Sequence, residues 1–313
     1  MTVQPGLLLV DKPAGITSHD VVAKVRRLAG TRKVGHAGTL DPMATGLMLL
    51  GVESATKLLT FLVGEDKTYL ATIRLGASTI TDDAEGDELN RAEPGQVREL
   101  FSRLDQVLEP ALNKLRGEIS QRPSAVSAIK VDGQRAYARV RSGEDVVLEA
   151  RAVTVSRFEV LAEPRLVETA EAAFIDIDVV VDCSSGTYIR ALARDLGADL
   201  AVGGHLTSLR RTRVGDFQIE DAPGLEQLER DGLRLVPLAQ AASARFAVYH
   251  LTPTEALELR QGKRPVFRPE AMTEITEPIA AGLDFAAIDQ DAKLVAIVQR
   301  HGKQLKSTVV FND

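Results

Sequence analysis

The sequence predicts an α+β protein with a second, small, mostly β domain at its C-terminal end. Three observations carry this. Residues 67–76, 146–160 and 172–181 alternate apolar and polar side chains, the period of a strand exposed on one face. Apolar residues recur at helical spacing after Thr17, after Pro94 and after Gly186. Beyond about residue 246 the chain has its own short alternations and turns, at 285–297 and 305–311. A length of 313 residues suits this division into one large domain, 1–245, and a small one, 246–313.

Each element has a local cause. Gly6-Leu-Leu-Leu-Val10 is a buried strand ending in the turn Asp11-Lys12-Pro13. Thr17 and Asp20 have the spacing of a capping box, and Val21, Val22, Val25 and Leu28 continue a helix up to Gly30. Residues 47–52 are a second buried strand. In 67–76, Tyr69, Ala71, Ile73 and Leu75 share one face, so Tyr69 points with the apolar set. Residues 78–93 are a polar, acidic loop. Pro94 opens a helix whose stripe is Val97, Leu100, Phe101, Leu104 and Leu108. An insertion about 112–145 is rich in Arg, Ser and Gly, with a short helix around 133–141. The strands 146–160 and 172–181 form a hairpin across a polar break. A helix from Ser185-Gly186 to Leu200 follows, with Arg190 in its first turn. There the helix dipole disfavours a cation, so Arg190 calls for a specific anionic partner. Residues 203–219 form a basic strand, 223–245 a weakly patterned connection, and Thr252 caps a short helix to Arg260 that Gly262 ends.

Hydrophobic content of 44% with 26% charged residues allows a substantial core. No apolar run approaches the ~18 residues of a membrane span, and no basic leader precedes an apolar stretch, so a cytoplasmic protein is expected. The single cysteine, Cys183, excludes an internal disulfide framework, and the five histidines are too scattered for a metal centre. The formal net charge of −6 argues against a polyanion partner, but the charges are segregated. Residues 112–142 hold seven basic side chains against two acidic. Residues 24–33 carry Lys24, Arg26, Arg27, Arg32 and Lys33 with no acid, and Arg210, Arg211 and Arg213 form a third cluster. Three such clusters together point to a polyanion meeting one face.

The stretch Gly35-His-Ala-Gly-Thr-Leu-Asp-Pro-Met-Ala-Thr-Gly46 places one carboxylate, Asp41, among three glycines and a proline. Taken alone it reads as a tight turn. No P-loop, G-x-G-x-x-G or G-x-S-x-G pattern is present.

Five ordered motifs resemble those of the bacterial tRNA pseudouridine-55 synthases of the TruB type. They are Asp11-Lys-Pro-Ala-Gly-Ile-Thr-Ser18, residues 35–46, Lys67-Thr-Tyr69, Cys183-Ser-Ser-Gly-Thr-Tyr-Ile-Arg190 and Leu206-Thr-Ser-Leu-Arg-Arg-Thr-Arg213. Residues 250–313 are loosely similar to an abbreviated PUA RNA-binding domain. The resemblance implies a pseudouridine-synthase-like fold: a mixed, mainly antiparallel sheet flanked by helices. It implies isomerisation of uridine 55 in the T loop of tRNAs without cofactor or metal. It places Asp41 on the catalytic aspartate, Arg190 in a salt bridge with it, and Tyr69 on the tyrosine that stacks on the target base. Tyr188 and Leu209 match uracil-pocket positions, His36 the position filling the space a flipped nucleotide vacates, and Asp82, more loosely, a polar pocket residue. Arg122-Pro123-Ser124 departs from the two adjacent prolines common in the family. The implied partner is the tRNA T arm, with no membrane, no obligatory protein partner and a monomer as the simpler expectation. The alternatives are a tRNA-folding chaperone with secondary catalysis and, more weakly, a guide-RNA-dependent enzyme.

Overall fold

A computed structural model describes residues 3–124, 130, 131, 134, 135, 149–273 and 282–311. Of the expected helix 133–141 only Gln134 and Arg135 are described, and they pair as strand with Val131 and Lys130 instead; the start of the strand expected at 146 and most of the basic insertion lie outside the described residues.

In chain order, β1 (Gly6–Lys12) is buried at every position except Asp11. α1 (Ser18–Ala29) has the expected ends: Thr17 accepts from the Asp20 N–H and donates its own N–H to the Asp20 carboxylate, and Gly30 closes the helix at φ 64°. β2 (Val34–Ala37) and β3 (Thr45–Val52) pair antiparallel, Val34 with Val52 and Ala37 with Leu49. Residues 35–37 and 45–46 of the presumed turn 35–46 are therefore strand; a three-residue Gly-His-Ala segment shows no periodicity, and the β3 ladder decides its conformation. β4 (Lys67–Leu75) buries Lys67, Tyr69, Ala71, Ile73 and Leu75, the face anticipated.

The single helix expected after Pro94 is two, α2 (Pro94–Ser102) and α3 (Leu104–Asn113), separated at Arg103 with φ −123°. Val97, Leu100, Leu104 and Leu108 are still all buried, so periodicity survives a break it does not encode. β5 (Gly117–Gln121), β6 (Arg151–Val160) and β7 (Ala173–Cys183) follow, the last two forming the expected hairpin. α4 (Ile189–Asp199) puts Arg190 in its first turn. β8 (Gly204–Val214) is shorter than the 203–219 anticipated, because Gly215 at φ 53° turns the chain. The connection 223–245 contains α5 (Leu225–Asp231) and α6 (Leu238–Ser243).

The tail comprises β9 (Val248–His250), α7 (Pro253–Arg260), β10 (Asp284–Ile288), β11 (Leu294–His301) and β12 (Gln304–Val310). The strand expected at 285–297 is thus two. The Asp289 carboxylate accepts the N–H groups of Asp291 and Lys293, an Asx-type turn that breaks it.

The chain forms two compact units. The first holds Met1–Asp41, Leu47–Val63 and Gly215–Asp313, the second Pro42–Gly46 and Gly64–Val214. In the first, β1 pairs with Val236–Pro237, β2 pairs with β3, and β9–β10–β11–β12 make a four-stranded sheet with its own core of Tyr249, Leu251, Leu259, Phe285, Val295 and Leu305. Lys57 donates to the Val310 carbonyl at 2.8 Å, and Phe61 packs edge-on against Phe246. In the second unit the strands run β8–β4–β7–β6–β5, each pair antiparallel. Thr45 and Gly46 add a short parallel pairing to Arg210 and Arg211. The observed class is the α+β, mainly antiparallel arrangement expected.

Gly46, at φ +104°, allows that parallel pairing, because an added Cβ would stand 2.2 Å from the Arg211 carbonyl oxygen. Gly46→Ala should cost about 2–5 kcal/mol, a strained backbone plus a clash with main chain. Gly30→Ala, left-handed but facing open space, should cost about 1–2 kcal/mol. Urea denaturation of the two variants checks the order.

Candidate active site

Asp41 lies half-buried on the loop between β2 and β3, and its position is set through its neighbour. The buried Ser18 hydroxyl, at the start of α1, accepts the Leu40 N–H at 2.9 Å and donates to the Leu40 carbonyl at 2.9 Å. Both backbone groups of the residue preceding Asp41 are thereby satisfied by one side chain. Lys12 supports the approach to this point. Fully buried, its ammonium donates to the Pro13 and Ile16 carbonyls at 2.9 and 2.8 Å, shaping the turn that leads into the Thr17 cap. His36, half-buried on β2, meets the exposed His19 of α1 edge to face, with ring centroids 5.8 Å apart. Asp41 and His36 are therefore the two expected site residues carried by the first unit.

The second unit carries the others. Tyr69 is 8% exposed, in register between Val181 of β7 and Arg211 of β8. Leu209, buried on β8, stands opposite Ala71 of β4. Lys67 is buried on the same face of β4, where burial, aided by the Arg211 charge, pulls its ammonium down to about 8. Burial pushes the Cys183 thiol, opposite Lys67 on β7, up to about 11.

Arg190 is buried, 5% exposed, and donates to the Thr81 carbonyl at 2.7 Å; its guanidinium lies 3.3 Å from the Asp83 carboxylate. Asp83 is fixed in turn by the Thr81 hydroxyl and the Glu85 N–H. Asp82 occupies a turn at φ +59°, lends its carbonyl to the Leu206 N–H, and pairs with Arg194 at 3.1 Å. Burial raises the Asp82 carboxyl above its ordinary value, against the opposing pulls of the Ser124 hydroxyl and the Arg194 charge. Of the two adjacent acids, Asp83 faces Arg190 and the sequence-selected Asp82 faces Arg194, one helical turn on. The signal was available: arginines at i and i+4 on one helix suit two consecutive acids on a turn.

Tyr188 is the half-buried N-cap residue of α4. The side-chain amide of Gln121, a residue the motifs did not single out as functional, brackets its backbone: Oε1 accepts the Tyr188 N–H at 2.8 Å and Nε2 donates to the Tyr188 carbonyl at 3.0 Å.

The charge clusters are thinner than the sequence suggested. Lys114 is tied to Asp199 and Arg116 to Glu109 and the Phe158 carbonyl. Arg26 donates to the Val34 carbonyl, Lys24 pairs with Glu229, and Arg211 is 1% exposed. Arg139 and Arg141 lie outside the described residues. No helix among the described residues is long and apolar enough to cross a membrane.

Comparison with known proteins matches residues 26–189 to the TruB family pseudouridylate synthase N-terminal domain and residues 190–236 to the tRNA pseudouridylate synthase B C-terminal domain. Proteins named tRNA pseudouridine synthase B are similar over nearly the whole chain. That of Leifsonia xyli subsp. xyli is 54% identical over 306 residues, 98% of this chain and 96% of the relative. That of Mycobacterium leprae is 49% identical over 310 residues, covering 98% and 91%. Among solved structures, a chain of a Cbf5-Nop10-Gar1 complex superposes with a TM-score of 0.67 at 24% identity, covering 98% of this chain and 85% of that one. A chain of an H/ACA RNP bound to a substrate RNA containing 2′-deoxyuridine gives the same score at 23% identity and the same coverage. These two likenesses concern the fold.

Two predictions follow from the supports. Ser18→Ala leaves buried Leu40 groups without their partner and should cost about 1–3 kcal/mol, with faster hydrogen exchange at the Leu40 amide. For Lys67, the unfolded chain keeps its proton up to an ordinary 10.5 while the native lysine releases it above about 8. The unfolded state then binds more protons, so stability rises with pH across that window. Cys183 acts oppositely, but only from its ordinary 9.0 upward to about 11. Stability measured in urea should therefore rise between pH 8 and 9, and Lys67→Met should remove the rise.

Proposed function

Because this chain belongs to the TruB family of pseudouridine synthases and isomerises uridine 55 of tRNA, we propose that Asp41 is its catalytic carboxylate, with Tyr69 and Arg190 as its main accessories. The observation that carries this reading is the double clamp of Ser18 on Leu40. It fixes the main chain at the residue before Asp41, which the proposed chemistry requires.

Pseudouridylation breaks the C1′–N1 bond, turns the base and joins C5 to C1′. The C5 hydrogen leaves as a proton and N1 takes one, so atoms and charge balance with no cofactor. Loss of the base leaves an oxocarbenium-like sugar, and an ionised carboxylate fixed beside it lowers that barrier, as in glycoside cleavage. Arg190 is the cation proposed to serve that carboxylate. Tyr69, on a buried strand face, stacks on the uracil; removal of the C5 proton is its secondary role. Tyr188, Leu209 and Asp82 line the base pocket, and His36 fills the space left by the flipped nucleotide. Extrusion costs a few kcal/mol, least from a loop, and basic contacts to phosphates offset it. The T arm is the element bound, in the cytoplasm, by a monomer needing no protein partner, and residues 246–313 serve as a PUA-like RNA-binding domain.

Asp41→Asn should lower single-turnover release of tritium from tRNA labelled at C5 of uridine by more than about 10³-fold, while the dissociation constant for that tRNA changes less than about threefold. Turnover within tenfold of the unmodified protein would remove Asp41 from this role.

A further inference from the structure

Gln121 is the last residue of β5, in register with Arg151 of β6, and only 2% exposed. A buried primary amide has two donors and an acceptor to satisfy, so its placement is set by what it bonds. Here both ends meet one residue. The side chain takes the Tyr188 N–H at 2.8 Å and gives to the Tyr188 carbonyl at 3.0 Å, the pattern by which one strand residue pairs with another.

That bracket sits at the entry to α4. Tyr188 is the N-cap residue, with extended backbone angles of −101° and 106° and no side-chain cap bond to the first turn. Its carbonyl also accepts the Leu192 N–H at 3.3 Å, the first bond of the helix. Gln121 therefore sets the height and rotation at which α4 begins, and with them the direction of the Tyr188 ring and of Arg190 two residues on. A second bond from the same helix holds the chain just after Gln121. Arg194, one turn beyond Arg190, donates to the Arg122 carbonyl at 2.8 Å while its other nitrogen meets Asp82 at 3.1 Å. The bend at 121–122 is thus tied to α4 twice.

We propose that Gln121 is a positioning residue for the isomerisation: it bonds no substrate atom and acts by holding Tyr188, and through it Arg190, in register with the base. This rests on the reading of Tyr188 as a wall of the uracil pocket. The geometry makes the requirement chemical as well as steric, since the group must donate and accept at once.

The test uses the full-length protein and an unmodified tRNA transcript, with single-turnover rate, tRNA dissociation constant and melting temperature measured for each variant. Gln121→Leu keeps the volume and loses both bonds. It should slow turnover about tenfold or more, with the dissociation constant within about twofold and the protein folded at the assay temperature. Gln121→Glu keeps the shape. Ionised, the new carboxylate faces the Tyr188 carbonyl and the variant should be slow at pH 8. Protonated, its O–H donates to that carbonyl while its C=O accepts the N–H, so its rate relative to the unmodified protein should recover as the pH falls towards 6. A purely structural amide would give a lower melting temperature without this rate recovery, and that result overturns the proposal, as does full turnover in Gln121→Leu. Should Gln121→Leu not fold, the pH profile of Gln121→Glu decides alone. Tyr188→Leu separates the two readings. Slow Tyr188→Leu with fast Gln121→Leu overturns the positioning role only, whereas fast Tyr188→Leu removes the pocket role of Tyr188 and the proposal built on it. If both hold, the double variant should be no slower than Tyr188→Leu.

Discussion

The two hydrogen bonds between the Ser18 hydroxyl and the Leu40 backbone are the constraint on which the Asp41 loop depends. A loop with glycine at 38 and 46 is easily entered by another chain and, for the same reason, poor at holding a side chain still. The bonds resolve that conflict by anchoring the loop at one point, next to the carboxylate. The anchor is itself well founded. Ser18 is the first residue of a helix with a capping box on one side and a left-handed glycine on the other, and Lys12 fixes the turn before it. Losing the cap would loosen Ser18, and losing Ser18 would loosen Leu40, so α1 serves the site although no residue of it is proposed to touch the reacting bond.

The second unit solves a different problem, keeping a buried arginine in place. Desolvating a guanidinium is costly unless its donors are met. Arg190 is met by the Thr81 carbonyl and Asp83, and Arg194 by Asp82 and the Arg122 carbonyl. Within the acidic loop, Asp82 and Asp83 are therefore turned inward as the counterparts of α4. The raised Asp82 carboxyl is the mark of that burial.

Much of this was legible in the sequence. The Thr17–Asp20 capping box, the buried face of β4 and the first-turn placement of Arg190 are local facts, encoded by residues three or four apart or alternating by two. Helix breaks and strand limits were less so, because Arg103 and the 289–293 turn are settled by packing and by one carboxylate bonding its neighbours. The charge map misled for a related reason. A window of sequence counts Arg211, Arg26 and Lys24 as surface cations, yet one is buried and two are tied to partners, Arg26 to the Val34 carbonyl and Lys24 to Glu229. Gln121 was missed because its partner, Tyr188, lies 67 residues away, beyond any periodicity.

The supports share a further property. Ser18 bonds the main chain of Leu40, Gln121 that of Tyr188, Lys12 that of Pro13 and Ile16, and Arg194 that of Arg122. The stretches carrying Asp41 and Tyr188 are thus placed through peptide groups, their own or a neighbour's. Such placement fixes direction through the main chain. It also explains why sequence motifs here run several residues on either side of each functional side chain. What must be kept is a stretch of backbone path as well as an atom at its end, and a path is specified by glycines, caps and the polar side chains that bond it.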